Sequence, residues 1–300
     1  MTVLPTLRQL TYLKLLVEQG SFSRAADAAH VTQPTLTAGI QELEKLLGVS
    51  MVDRSRGGVI LTAAGEEAVR RAGAILVQAA DLVQAAQGAD QPLSGRFRLG
   101  VIPTVAPFML PWALPLLRAQ FPKLKLYLRE DMTSRLVTAL KSGALDAALI
   151  ARPYDMTGLE FAHVDDDELL AAFPANHPLT ASAKVSPKRM EEDDLILLED
   201  GHCLRDHVLS ACGLPPPRID GEGGGFAATS LQTLVQMVGS GLGVSFLPAM
   251  AVRSGLADQA AVTVRPLDTE HRSRQIVVCW RIGSARATEG RLLSEVLRRV

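Results

Sequence analysis

Along the first 62 residues the apolar positions recur at helical spacing and are interrupted by turn chemistry. Leu10, Leu13, Leu15, Leu16 and Val17 define a first helix, a glycine turn follows, and Phe22 to Ala29 supply a second, shorter run. The next stretch, TLTAGIQELEKLLG, opens behind Thr32, whose hydroxyl can cap a helix, with Pro34 in the first turn where a missing N–H is harmless. Gly48 closes it. Helix, turn, helix is the pattern. Two short extended runs, MVDRS and VILT, then flank Arg56-Gly57-Gly58, and glycine's tolerance of positive φ makes that segment a hairpin, or wing. From Thr62 onward, Ala68, Ala72, Ile75, Ala79, Leu82 and Ala86 fall three or four residues apart. They predict a long helix with a stripe of small apolar residues suited to pairing between subunits.

Gln91 to Gly95 is a polar linker containing proline and glycine, and beyond it RFRLGVIPT reads as a buried strand. Strand-like and helix-like runs alternate from there onward, which predicts an α/β domain. Prolines 103, 107, 111 and 115 recur every four residues, so the helix expected there should be kinked. The run GEGGG at 221–225 has no Lys-Ser/Thr after it and reads as a turn, not a phosphate loop.

With 300 residues and 47% hydrophobic content the chain can bury at least one full core, and its length suggests two or three domains. The start lacks a basic segment followed by an apolar run, and no stretch approaches the roughly 18 apolar residues of a membrane span, so a cytoplasmic protein without membrane contact is expected. A formal net charge of -1 lends no support to a nucleic-acid partner, and in residues 1–62 six basic against five acidic residues leave only +1. DNA binding would therefore depend on charge placement and on the avidity of a dimer or tetramer. Three cysteines without metal-ligand spacing argue against a disulfide scaffold, and His163, His177 and His271 have no ligand-like partners. No metal and no cofactor is expected.

Residues 22–48, FSRAADAAHVTQPTLTAGIQELEKLLG, resemble the winged helix-turn-helix of LysR-type regulators. Ala25, Ala26 and Ala29 are small enough for one helix to approach the next. Gln33, Pro34, Thr35 and Thr37 lie at the start of the second helix, the end that reaches base edges in the major groove. Arg54 and Arg56 on the wing would contact phosphates or the minor groove. The resemblance implies an α/β protein with a winged helix-turn-helix at 1–62 and a linker and dimerisation helix at 63–92. A two-lobed effector domain resembling periplasmic binding proteins would follow, lobe I from 93–167 and 270–300, lobe II from 168–269. Ligand crevices in such folds lie at strand ends and helix starts, where Thr104, Thr133, Thr229 and Ser230 are placed either to cap helices or to meet a ligand.

The segment ILLEDGHCLRDHVLSACG at 196–213 narrows the likeness. GHCLRD with a second cysteine nine positions after the first is similar to the redox segment of the peroxide-sensing members of that family, and IPTVAPFMLP, FPKLKLYLRE and ATSLQTL extend the similarity over essentially the whole chain. It implies that Cys203 attacks hydrogen peroxide and Cys212 resolves the resulting sulfenic acid. Thr104, Thr133, His202, Arg205 and Arg274 would shape the pocket, with Asp206 assisting. It also implies a homodimer or homotetramer on double-stranded promoter DNA, activation of peroxide-defence genes with RNA polymerase, and reduction by glutathione or glutaredoxin. The residues themselves agree in part: His202, Arg205 and a helix start favour a thiolate at Cys203, while Glu199 and Asp200 oppose it. A helical segment would hold the two cysteines roughly 13 Å apart, whereas a disulfide needs about 4.4 to 6.8 Å, so the bond would require refolding around the apolar Val208, Leu209 and Cys212. His207 and the stretch after Cys212 depart from the usual loop. Cys279, alternating with apolar residues in QIVVCWRIG, reads as core.

Competing functions are a LysR-type regulator of an organic effector with incidental cysteines, and a thiol peroxidase with a DNA-binding appendage. A plain solute-binding protein conflicts with the first 90 residues and with the absence of an export segment.

Overall fold

Capping chemistry sets the first and third helices. Thr6 and Gln9 form a reciprocal box at the start of α1 (Leu7–Gln19), the Gln9 N–H donating to Thr6 Oγ1 at 3.2 Å and the Thr6 N–H to Gln9 Oε1 at 2.9 Å. Short α2 (Phe22–Ala28) follows. Thr32 caps α3 (Gln33–Leu47), which ends at Gly48 in the left-handed region. Strands β1 (Val52–Asp53) and β2 (Ile60–Leu61) pair antiparallel and lead into the 25-residue α4 (Ala63–Gln87). The computed structural model describes residues 3–53, 59–87, 92–190, 195–213, 227–269 and 272–298, with side chains except at 84, 85, 87, 211 and 212. The chain divides into two compact units, Met1–Ala89 and Asp90–Val300.

In the first unit Leu10, Leu13, Leu16, Leu36, Ile40 and Leu43 make a core into which Ala25 and Ala26 fit because they are small. Gly39 permits a close approach of α3 to α1: a Cβ there would sit 2.8 Å from the Tyr12 ring. Glu44 of α3 accepts the Met51 N–H at 2.7 Å, fixing the base of the hairpin. The stripe predicted for subunit pairing divides on α4. Ala72 is buried in the unit's own core, against the expectation that it faces a partner, because α4 packs back on α1; Ile75, Leu82 and Val83 remain exposed.

The second unit begins with β3 (Gly95–Val101), α5 (Ala106–Gln120), β4 (Leu124–Glu130), α6 (Thr133–Lys141), β5 (Ala147–Arg152) and β6 (Leu159–Pro174). Helix α5 accommodates Pro111 and Pro115 in its interior. There follow β7 (Leu197–Leu198), α7 (Cys203–Cys212), β8 (Ala227–Ala228), α8 (Leu231–Gly239), β9 (Ser245–Pro248), α9 (Ala249–Arg253), β10 (Val262–Pro266), β11 (Ser273–Arg281) and α10 (Ala287–Arg298). The main sheet has the order β10-β6-β11-β5-β3-β4, with β9 also on β6. Long β6 serves two lobes. Its first part, through Glu168, pairs with β11, and from Leu169 it pairs with β9 and β10. Two apolar cores result, one around β3, β5, β11, α5 and α10, the other around β9, α7 and α8. The GEGGG run and His271 lie outside the described residues.

Candidate functional site

Where β6 passes from one lobe to the other, Asp167 stands opposite Arg274 of β11. Both side chains are fully buried, and Asp167 Oδ2 accepts from Arg274 Nη2 at 2.9 Å and from Nε at 3.0 Å. The second carboxylate oxygen accepts the Met250 N–H at 2.9 Å. Such a pair tolerates burial only with its hydrogen bonds filled, and here they are. Arg274 extends the network to Thr104 just after β3, donating to its hydroxyl at 2.7 Å and to its carbonyl at 3.0 Å. With its oxygen accepting from Arg274, the Thr104 O–H is left to donate.

Cys203 is the first residue of α7 and is buried against this network. It belongs to the lobe I core, although Leu204 and Val208 of the same helix belong to the core of lobe II. The helix therefore bridges the two. Gly201 makes the approach possible: its φ is +94°, and a Cβ there would meet Met132 Sδ at 2.6 Å. This contact brings the start of α7 to the start of α6, where Thr133 presents a buried hydroxyl to the Cys203 thiol, with no other hydrogen-bond partner among the described residues. Burial pushes the Cys203 thiol above its ordinary value; the Arg274 charge and the Thr133 hydroxyl pull it back, and Asp206 adds to the rise.

The remaining expected pocket residues occupy other roles. His202 is buried, and its ring bonds the Thr229 backbone; burial holds its pKa below the usual histidine value. Arg205 pairs with Asp200 at 2.8 Å, and Asp206 is exposed. Thr229 is exposed, and Ser230 caps α8 by accepting the Thr233 N–H at 3.1 Å. Asp167, which sequence alone marks only as a lobe boundary, is part of the site, whereas His207, there only a departure from a loop, lies on the same helix as Cys203 and bonds the Pro153 carbonyl. A buried arginine requires a carboxylate, and the acidic run 165–168 on a strand was the available signal. Cys212 ends α7, and its side chain lies outside what is described.

On the first unit, Gln33, Pro34 and Thr35 are exposed at the start of α3 and Thr37 is half-buried. The Thr35 hydroxyl shares a 2.8 Å hydrogen bond with that of Thr32. Arg54 and Arg56 lie outside the described residues. Among the described residues there is no cluster of His, Cys, Asp and Glu fit to hold a metal, and no helix long and apolar enough to cross a membrane.

Two family profiles match: residues 7–66 correspond to the bacterial regulatory helix-turn-helix protein of the lysR family, and residues 90–300 to the LysR substrate binding domain. The HTH-type transcriptional regulator EstR of Acinetobacter baylyi is 37% identical over 301 residues, covering 100% of this chain and 98% of the relative. The DNA-binding transcriptional dual regulator OxyR of Escherichia coli K12 is 36% identical over 292 residues, covering 97% and 94%. Among solved structures, a full-length OxyR variant from Pseudomonas aeruginosa superposes with a TM-score of 0.77 at 34% identity, covering 98% of this chain and 95% of that one. A hydrogen-peroxide-bound OxyR mutant from Corynebacterium glutamicum gives 0.65 at 30% identity, covering 100% and 93%.

Proposed function

The chain belongs to the LysR family of bacterial helix-turn-helix transcription regulators, and from that premise we propose that hydrogen peroxide switches it through Cys203 and Cys212. The observation that carries this reading is the setting of Cys203. Its thiol starts a helix, faces a buried Thr133 hydroxyl with no other partner, and lies beside the fully buried Arg274. Identity alone does not select it, since the Acinetobacter relative named EstR is as similar as those named for peroxide.

The Cys203 thiolate attacks one peroxide oxygen; the S–O bond forms as the O–O bond breaks, and the departing hydroxide takes up a proton and leaves as water. Thr133 and Thr104 donate to the peroxide oxygens, and Arg274 favours the anionic sulfur. The Cys212 thiolate then attacks the sulfenic sulfur, forming the disulfide and releasing a second water. A two-electron thiol reductant, glutathione or glutaredoxin, restores both thiols. His202 and Arg205 hold the loop before α7, and Asp206 tempers the thiol.

With both cysteines on α7, nine residues of helical rise separate their Cα atoms by about 13 Å, while a disulfide spans about 4.4 to 6.8 Å. The helix must unwind, and because Cys203 and Val208 are anchored in different cores, unwinding alters how the lobes are joined. In a cytoplasmic dimer or tetramer on promoter DNA, that change would move the recognition helices bearing Gln33, Pro34, Thr35 and Thr37, with Arg54 and Arg56 on the backbone, and alter engagement of RNA polymerase.

The test is a footprint of the full-length chain on DNA that it selects from a random pool. One equivalent of peroxide should change the protected region, dithiothreitol should restore it, and Cys203→Ser should abolish the change. A footprint indifferent to peroxide overturns the reading. Sustained removal of many equivalents with reductant would make the protein a thiol peroxidase instead.

A further inference from the structure

His207 lies one helical turn beyond Cys203 on α7 and is buried. Its Nε2 is 2.8 Å from the Pro153 carbonyl, and since a carbonyl only accepts, Nε2 carries the proton. Nδ1 is buried with no hydrogen-bond partner, which is the bare lone pair of the neutral ring. Burial, which holds the ring below the usual histidine pKa, agrees with that form. Pro153 directly follows β5 in the lobe I sheet, whereas Leu204 and Val208 on either side of His207 pack into lobe II.

Building on the cysteine switch, we propose that His207 is a positioning residue whose bond to Pro153 ties the redox helix to the end of β5 and sets how readily α7 unwinds to bring Cys203 and Cys212 together. Helix α7 has 10 residues. Isolated helices shorter than about 12 residues are marginal in water, so α7 persists through its anchors. Leu204 and Val208 hold one lobe; Cys203 and His207 reach the other. Of these, the His207–Pro153 contact is directional and has no part in the sulfur chemistry, so it bears on the second step and not the first.

The experiment follows both steps in the full-length chain after a peroxide pulse, trapping sulfenic acid with dimedone and scoring the disulfide by alkylation and mass. His207→Phe keeps a ring but no donor, and should speed disulfide closure about five- to tenfold, the worth of one neutral hydrogen bond, while leaving sulfenic acid formation unchanged. His207→Asn, too short to reach Pro153, should do the same and covers the case of a poorly folded phenylalanine variant. His207→Gln, whose amide reaches as far as Nε2, should close at the wild-type rate. Wild-type closure in the Phe and Asn variants, or equal acceleration in the Gln variant, overturns the proposal. Failure of the wild-type chain to form any sulfenic acid at Cys203 is a separate result, and it overturns the peroxide reading together with this one.

Discussion

Cys203 and Cys279 are both buried thiols of the lobe I core, and burial raises the pKa of both. Cys279 sits on β11 between β5 and β6, where only backbone hydrogen bonds relieve its burial, and its pKa is pushed up to about 12. Cys203, at a helix start, has the Arg274 charge and the Thr133 hydroxyl against it. The difference is in polar company, not depth. A buried thiol is an ordinary core residue until charge and unspent donors are placed beside it.

The sharpest way to break the comparison is to exchange the fates of the two sulfurs. Cys203→Ser should abolish the peroxide response altogether, whereas Cys279→Ala should keep it, as read from peroxide-dependent footprints. Next in size is the charge support. Arg274→Met leaves Asp167 buried and unpaired, and should destabilise the second unit by about 3–5 kcal/mol in urea unfolding, much of it recovered by adding Asp167→Leu.

Thr133→Val should separate fold from chemistry. It removes a buried hydroxyl that has no partner but the Cys203 thiol, so the fold should hold or gain up to about 1 kcal/mol, while oxidation of Cys203 slows about tenfold or more. A variant both destabilised and as fast as wild type would show the hydroxyl to be structural. A further effect is with pH. Because the reactive species is the thiolate and burial raises the Cys203 pKa, its oxidation rate should keep climbing above the ordinary thiol value of about 8.5. Cys279 holds its proton in the fold to about 12 but loses it near the ordinary value when unfolded, so its contribution to stability is complete below that value and falls as pH rises toward 12. Unfolding free energies measured between neutral pH and strongly alkaline conditions check the sign.

Local signals carried most of the fold. Thr32, Gly48 and the alternating apolar residues act within a few positions of themselves, so helix starts, helix ends and the wing strands could be read directly. The GHCLRD segment likewise pointed to Cys203 at a helix start. Contacts between distant residues could not be read in this way. Arg274 and Asp167 are 107 positions apart, and the acidic run at 165–168 marks a candidate carboxylate without saying which residue it will meet. The same limit misassigned Ala72: a small residue on an apolar stripe suits a partner helix and a neighbouring helix equally, and packing against α1 decided between them. His207 carried no readable role because its partner is the backbone of Pro153, whose carbonyl any residue type would supply.

The contrast between the two buried thiols can be measured directly by treating the reduced full-length chain with one equivalent of hydrogen peroxide, alkylating what remains, and mapping all three cysteines by peptide mass. The account predicts a Cys203–Cys212 disulfide with Cys279 still a thiol. Oxidation at Cys279, or at methionines, while Cys203 stays reduced would contradict it.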